Sequence, residues 1–214
     1  MSPMEPPVRA QYNRMAASYD RRWRGYLDAT LGALKAWVGP VRGLAVLDVA
    51  CGTGAWAHRV GPAQAQQLMG VDLTPGMLAI AAQKLATWPE VLLAQAGASS
   101  LPFASSSFDL VVTASAFHYF PDPVTALREM ARVTRPGGRV VVLDWCRDFW
   151  LCQLCDVVLR RLDPAHHACY TQRELHACFA QAGLHVAAAQ RLRVQTIWGI
   201  MVTTGVPSGA VPVP

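Results

Sequence analysis

The amino-acid sequence predicts an α/β fold in which helices cover both faces of a mostly parallel sheet. Short apolar runs alternate with helical patterns across residues 44–145, and strands joined by helical crossovers run parallel. The first apolar run, Leu44–Val49, leads into a turn that contains Gly52 and Gly54. Because ligands of open α/β sheets bind outside the carboxyl ends of the strands, this turn predicts a binding cleft at that edge.

The chain divides into three parts that we expect to form one domain over residues 1–204. With 214 residues, of which 52% are hydrophobic, it can bury a substantial core. A helical N-terminal cap is expected over residues 1–40, and an insertion over residues 145–170 follows the alternating strands and helices. Residues 205–214 are rich in proline and glycine and are expected to form a flexible tail.

Local signals place the individual elements. Thr171 and Glu174 form a capping-box pattern and Gly183 supplies a helix stop, so a helix is predicted near 172–182. Apolar runs bounded by turn residues predict the strands. These strands lie near residues 44–49, 67–72, 91–95, 108–114, 139–144, 185–194 and 196–204.

Acidic residues end two successive predicted strands. Asp48 precedes the glycine turn, and Asp72 stands twenty residues after Gly52. An ionised carboxylate accepts two hydrogen bonds at once, so Asp72 suits a ribose diol. Gly52 and Gly54 allow the backbone to turn tightly and to approach a ligand. Together these four residues predict a nucleoside site.

Four segments in a fixed order carry a family resemblance. They read VLDVACGTG over Val46–Gly54, MGVDLTPGML over Met69–Leu78, LPFASSSFDLVV over Leu101–Val112, and HYFPDP to RPGGRV over His118–Val140. In this order they resemble the class I S-adenosylmethionine-dependent methyltransferases, particularly the group that includes the ubiquinone and menaquinone C-methyltransferases. The resemblance implies a Rossmann-like class I methyltransferase fold, with a seven-stranded sheet whose last strand runs antiparallel.

The resemblance also implies S-adenosylmethionine as the cofactor and a small-molecule methyl acceptor. Carried over by position, the contacts at the methionine end fall on Asp48, Gly52 and Gly54, and the ribose contact falls on Asp72. The residues expected beside the adenine are Leu73, Met77, Ala98 and Ser99.

One position departs from the family pattern. Gly97 stands where the family usually has an acid that accepts a hydrogen bond from the adenine amino group, and glycine has no side chain to do so. Losing a charged acceptor costs about 1.5–3 kcal/mol. The departure leaves open a second function class, a methyltransferase-like protein that binds a nucleoside or a lipid without turnover.

The same loop also permits a nicotinamide-binding interpretation. Residues 52–57, GTGAWA, also fit the dinucleotide fingerprint with alanine in third place. A pyrophosphate favours exposed amides at a helix N-terminus, whereas Asp48 would add negative charge beside it. A cationic amino or sulfonium group tolerates that acid better, so S-adenosylmethionine is favoured.

Methyl transfer relies chiefly on orienting the nucleophile towards the methyl group. A carbon nucleophile or a weakly acidic oxygen also needs a proton acceptor. His118, just beyond the fourth strand, is the first candidate base, ahead of His166 and His167 in the insertion. The alternative is that His118 only packs over the cofactor. The side chains expected to contact the substrate are Tyr19, Tyr119, Trp145 and Phe149.

The insertion has an apolar stripe at helical spacing. We expect this stripe either to pack on the domain or to form a lid over an apolar substrate such as a quinone precursor or a lipid-like molecule. Its residues are Leu151, Leu154, Cys155, Val158, Leu159 and Leu162.

Several cysteines and histidines stand at spacings that could in principle hold a metal ion. Cys152 and Cys155 precede His166, His167 and Cys169, and thiolates with imidazoles can hold zinc. Because the first pair lies in the amphipathic helix and no second CxxC exists in the sequence, no metal site is predicted.

Charge and hydropathy bear on location and partners. The net charge is +5, and arginines cluster near the start of the chain. This basic cap predicts either a solvated face or a peripheral contact with anionic lipid, and it is too local to predict nucleic-acid binding.

The N-terminus lacks the apolar core of a secretory signal, so a cytoplasmic location is expected. The sequence does not predict the oligomeric state.

Overall fold

A computed structural model describes residues 5–61, 65–163, 166–195 and 198–208. Seven strands form one sheet in the order β3-β2-β1-β4-β5-β7-β6. Strands β1 to β5 pair in parallel, and β7 runs antiparallel to β5 and β6. The predicted seven-stranded, mostly parallel sheet with an antiparallel last strand is confirmed. The strands are β1 (Ala45–Val49), β2 (Gln67–Asp72), β3 (Val91–Gln95), β4 (Phe108–Ala114), β5 (Thr134–Trp145), β6 (Leu184–Val194) and β7 (Trp198–Pro207).

Helices cover both faces of the sheet because successive residues of each strand point to opposite sides. Leu47 and Val111 pack with α5 and α7 on one face, while Val46 and Val112 pack with α2 and α3 on the other. The helices are α1 (Glu5–Arg22), α2 (Arg24–Val38), α3 (Ala55–Val60), α4 (Pro75–Lys84), α5 (Pro123–Val133), α6 (Trp150–Leu162) and α7 (Gln172–Gln181).

Two predicted boundaries are wrong. Strand β5 begins at Thr134 rather than near residue 139, because Phe108 pairs with Thr134 across a register shift. The proline and two glycines of residues 136–138 are typical of a turn, which is why the strand was predicted to begin after them. Strand β7 continues to Pro207, so residues 205–207 are not a tail but pair with β6. Gly205 permits this, because a Cβ there would lie 2.5 Å from a ring carbon of Phe179. Residues 196–197 and 209–214 lie outside the described part of the chain.

The N-terminal cap is tied to the sheet through α4 and the glycine turn. Asn13 of α1 accepts a hydrogen bond from the Gly76 backbone N–H at 2.8 Å. Asp20, near the end of α1, accepts one from the Thr53 hydroxyl at 2.6 Å and pairs with Lys84 of α4 at 2.5 Å. These contacts place α1 across the carboxyl edge of the sheet.

Helix α6 is oriented differently from the prediction. Leu154, Val158 and Leu162 of the expected apolar stripe are exposed, at 54%, 42% and 76%. The fully buried residues of α6 are Cys152 and Asp156. Asp156 is held inside by hydrogen bonds that offset the cost of burying its charge, and the apolar side of the helix is turned outward as a result.

Across the described ranges, the helices are all too short or too polar to span a lipid bilayer.

Candidate active site

A cleft opens at the carboxyl ends of β1, β2 and β4, under α1. It encloses about 870 Å³ of empty space, including its open mouth. The structure brings eight predicted site residues to its wall: Gly52, Asp72, Leu73, Met77, Ala98, Ser99, Tyr19 and Tyr119. Five predicted residues do not line it: Asp48, Gly54, His118, Trp145 and Phe149.

Asp72 is held in a fixed orientation at the cleft wall. Its Oδ2 accepts a hydrogen bond from the Gly52 N–H at 2.9 Å, and its Oδ1 accepts one from the Thr74 N–H at 2.8 Å. Burial raises the pKa of Asp72, and these backbone donors partly offset that rise. Each oxygen retains a lone pair, so the carboxylate can accept further hydrogen bonds from a diol.

The glycines of the turn have different tasks. Gly52 has φ 54°, and a Cβ there would meet no protein atom within 4 Å, so a side chain would fill the ligand space. Gly54 also has positive φ, at 70°, but a Cβ there would lie 2.9 Å from Leu85 Cδ1. Gly54 therefore allows α3 and α4 to pack closely. Ala50, which lines the cleft, has φ 59°, a conformation that is strained for alanine.

Asp48 lies in β1, out of the cleft wall, and is 3% exposed. Burial, followed by the negative charge of Asp72, raises its pKa to about 8. The described residues offer it no cationic partner. A cation bound in the cleft would favour its ionised form. This environment fits a positively charged ligand such as S-adenosylmethionine.

Small and apolar residues form the part of the cleft that is expected to hold the adenine. Leu73 and Met77 lie beside the loop 96–99, and Gly97 itself lines the wall. Gly97 contributes backbone only, so an adenine ring seated there meets no carboxylate from this position.

Tyrosines form the wall on the side of α1. The ring of Tyr12 lies 5.9 Å from that of Tyr19 and 5.5 Å from that of Tyr119, between centroids. Burial raises the pKa of Tyr119 to about 12, and burial likewise raises the pKa of Tyr12 and Tyr19. The three hydroxyls therefore stay protonated near neutral pH, where they can orient an acceptor but not act as bases. Sequence reasoning missed Tyr12, which lines the cleft together with the other two tyrosines.

His118 forms a buried dyad with Asp144. Its Nδ1 lies 2.7 Å from Asp144 Oδ1, and its backbone N–H donates to Oδ2 at 2.8 Å. The carboxylate favours the tautomer with the proton on Nδ1, which leaves Nε2 as an acceptor. The ring is 3% exposed and stands behind the wall, with its centroid 4.1 Å from that of Tyr119. Sequence reasoning missed Asp144, which stands next to last in β5 as an ordinary acid after an apolar run.

Trp145 and Phe149 support the site from outside. The Trp145 ring stacks on His118 at 5.1 Å between centroids. Its Nε1 donates to the Tyr26 hydroxyl at 2.7 Å, and that hydroxyl is 2.7 Å from the Oγ of Ser115, which lines the cleft. Phe149 lies at the start of α6, beneath the guanidinium of Arg193.

The structure brings Asp156, His166 and Cys169 together, with potential ligand atoms within 4.8 Å of one another. Asp156 Oδ1 is already bonded to His166 Nε2 at 2.8 Å and to the Cys169 N–H at 2.7 Å. Its Oδ2 accepts from Arg160 at 3.0 Å. A metal ion would displace these partners beside a guanidinium, so the arrangement suits a hydrogen-bonded hub better than an ion.

Comparison with known proteins bears directly on this cleft. Residues 47–142 match a family model described as a methyltransferase domain. A demethylmenaquinone methyltransferase of Bacillus licheniformis is 39% identical over 126 residues, which cover 58% of this chain and 51% of that protein. The chain spans about half the length of the curated relatives it matches.

Solved structures share the architecture. An S-adenosylmethionine-dependent methyltransferase of Thermotoga maritima superposes with a TM-score of 0.73 at 21% identity, over 91% of this chain and 97% of that one. The cyclase SpnF superposes with a TM-score of 0.64 at 21% identity, over 78% and 76% of the two chains. At such identities the likeness shows the fold alone.

The fold is the Rossmann-like fold that class I methyltransferases share, and residues 47–142 match the methyltransferase family model. Within that class, the sequence resembles the menaquinone methyltransferase group.

Proposed function

We propose that the protein is an S-adenosylmethionine-dependent methyltransferase acting on a small lipophilic acceptor, for which a quinone precursor is the first candidate. The observation that carries this proposal is the Asp72 carboxylate, fixed by two backbone N–H groups at the wall of a cleft that is otherwise largely apolar. The name of the Bacillus licheniformis relative supports the choice of acceptor. We also propose a cytoplasmic location.

Different residues at the wall would contact different parts of the cofactor. Asp72 would accept hydrogen bonds from the ribose hydroxyls, and Leu73, Met77, Ala98 and Ser99 would surround the adenine. Gly52 would leave room at the methionine end, near Asp48, whose ionised form the cationic cofactor would favour. When bound, the cofactor supplies an electrophilic methyl group.

The acceptor would lie against the tyrosines. Their aromatic faces suit a flat lipophilic ring, and the protonated hydroxyls of Tyr12 and Tyr119 can donate hydrogen bonds to its oxygens. His118, whose Nδ1 is held by Asp144, is the proposed base, and Tyr119 would have to move for it to reach the acceptor, because the His118 ring stands behind the cleft wall. Asp144 is a positioning residue.

Titration calorimetry with S-adenosylmethionine, and separately with NADH, tests the cofactor assignment. We expect binding of the former only, and a loss of about a hundredfold in Asp72→Ala because charge-assisted hydrogen bonds are lost. Asp28→Ala, which alters an exposed acid paired with Arg59, is the matched control. Equal affinity in Asp72→Ala and the control would contradict the site.

Methyl incorporation into a demethylated naphthoquinone, a simple phenol and an amine then tests the acceptor class. We expect transfer to the naphthoquinone, with turnover falling in His118→Ala by about a hundredfold or more while cofactor affinity is kept. Asp144→Asn should retain an intermediate rate. Unchanged turnover in His118→Ala would remove this residue as the base and leave it a packing role.

A second candidate function is binding without methyl transfer. It is favoured by Gly97, which removes a charged acceptor, and by the occurrence of this fold in a protein described as a cyclase. Cofactor binding with no methyl incorporation into any of the three acceptors would support it.

A further inference from the structure

Helix α6 carries an exposed apolar face. Seven large hydrophobic side chains are exposed among the described residues, and five of them lie on this one helix of 13 residues. The spacing of those five follows the helical repeat, so they share one side of α6. We define this α6 face by its residues, Trp150, Leu154, Val157, Val158 and Leu162.

Two arginines contribute positive charge at the α6 face. Arg161 is exposed and follows Val157 by four residues and Val158 by three, which places it on the same side. At the other end of the helix, the guanidinium of Arg193 lies 5.4 Å from the centroid of the Phe149 ring. The one acid within α6, Asp156, is buried and faces inward. The α6 face is thus apolar and cationic, with no acid from its own helix.

The α6 face also lies next to the cleft. Asp163, directly after α6, accepts a hydrogen bond from Gln11 of α1 at 3.2 Å. The next residue of α1, Tyr12, lines the cleft, and the negative charge of Asp163 contributes to the raised pKa of both Tyr12 and Tyr119. A molecule held against the C-terminal end of α6 is therefore beside the cleft mouth.

We propose that the α6 face docks on the surface of an anionic lipid bilayer, with α6 lying in the plane of the interface. A helix with aromatic and aliphatic side chains on one side and arginines at its borders binds this type of surface. Trp150 suits the boundary between acyl chains and headgroups, and Arg161 can extend its guanidinium towards lipid phosphates. In a symmetric contact between two copies, arginines from both chains would enter one apolar interface, and each chain carries a net charge of +5. The charge pattern favours anionic lipid over a second copy.

The proposal goes beyond methyl transfer and does not rest on it, because docking is measured without cofactor or acceptor. The first experiment is co-flotation with vesicles of phosphatidylglycerol and phosphatidylcholine in equal amounts, and with vesicles of phosphatidylcholine alone. We expect binding to the mixed vesicles that weakens with added salt, as attraction to anionic headgroups is screened. No binding to the mixed vesicles would overturn the proposal.

A double variant, Leu154→Ser with Leu162→Ser, tests the face itself. Both side chains are exposed, and we expect the affinity for mixed vesicles to fall about tenfold or more. Leu92→Ser is the matched control, since Leu92 is 49% exposed but lies on β3 at the far edge of the sheet. Equal loss in the two variants, or none in the double variant, would overturn the proposal.

Two further measurements separate the alternatives. Light scattering after size exclusion reports the oligomeric state, and a dimer that dissociates in the double variant would assign the face to a second copy instead. Quenching of tryptophan emission by lipids brominated in their acyl chains should occur in the unaltered chain and decrease in Trp150→Phe. Quenching that is unchanged by Trp150→Phe would place another part of the protein on the membrane.

Discussion

Asp48 has the most unusual environment of any single residue in the site. A carboxyl that is 3% exposed, with Asp72 as its charged neighbour, is stabilised in its protonated form. Its position at the end of β1 was readable from the sequence, but its protonation was not, because desolvation depends on what packs around it.

The raised pKa predicts a pH-dependent cofactor affinity. The carboxyl has a pKa of about 8 without ligand, and a cation in the cleft lowers that pKa, so binding releases a proton. Affinity for S-adenosylmethionine should therefore rise as the pH increases towards 8 and level off above it. Calorimetry across this range measures the effect, and Asp48→Asn should flatten the profile.

A stability measurement provides an independent check on Asp48. The unfolded chain releases this proton near the ordinary value of 3.8, whereas the folded chain keeps it until about pH 8. The contribution of Asp48 to unligated stability therefore falls as the pH rises between those values. Relative to Asp48→Asn, the unaltered protein should lose stability over this window in urea titrations. A constant difference would contradict the assigned protonation.

Gly97 predicts a gain of affinity. Gly97→Asp should restore an acceptor for the adenine amino group and tighten cofactor binding about ten- to a hundredfold, the equivalent of one charged hydrogen bond. Gly97→Ala is the control for added bulk, and weaker binding in both variants would show that this part of the cleft has no room for a carboxylate.

Helix α6 shows how one polar residue can orient an element. Asp156 accepts hydrogen bonds from His166 and from the Cys169 backbone, and it pairs with Arg160. Burial alone would raise the pKa of Asp156, but these partners lower it below its ordinary value. The inward side of the helix is therefore the side that carries this acid, and the apolar side is left outward.

Removing the Asp156 carboxylate should lower the free energy of unfolding. Asp156→Ala leaves buried donors without partners and should cost about 2–4 kcal/mol, lowering the melting temperature by about 5–15 °C for a chain of this size. Thermal melts compare it with Asp28→Ala, an exposed acid for which a change below about 1 kcal/mol is expected. Because the pKa of Asp156 is lowered, its contribution should disappear as the pH falls below the ordinary carboxyl value. Equal melting temperatures would mean that the segment around residues 166–169 is held by other contacts.

At the scale of the molecule, the cofactor is expected to act as a structural ligand. The cleft joins α1 to β1, β2 and β4, so a bound molecule connects elements from distant parts of the chain. At a hundred times its dissociation constant, S-adenosylmethionine should add about 2.7 kcal/mol of stability and raise the melting temperature by about 5–10 °C. Differential scanning fluorimetry measures this shift, with NADH as the comparison ligand. A shift of equal size with NADH would favour the dinucleotide interpretation of the loop.

The sequence by itself determined the sheet, the order of its strands along the chain and the residues Gly52, Asp72, Leu73 and Met77 at one side of the cleft. These features rest on short-range patterns: apolar runs of strand length, glycines at positive φ, and acids at the ends of β1 and β2. Each pattern is local, and the order of the segments along the chain carries the family resemblance.

Tertiary structure alone decided the contacts between distant residues and the orientation of α6. Asp144 joins His118 across 26 residues, Asp20 reaches Thr53 across 33, and the outward turn of α6 follows from where Asp156 finds its donors. Periodicity shows that a helix is amphipathic but not which side is buried, because that choice depends on polar partners supplied by other segments. Gly54 is a second example. The sequence predicted that it contacts the ligand, whereas in the structure it allows close helix packing, because only the folded chain brings Leu85 and Ala81 against it.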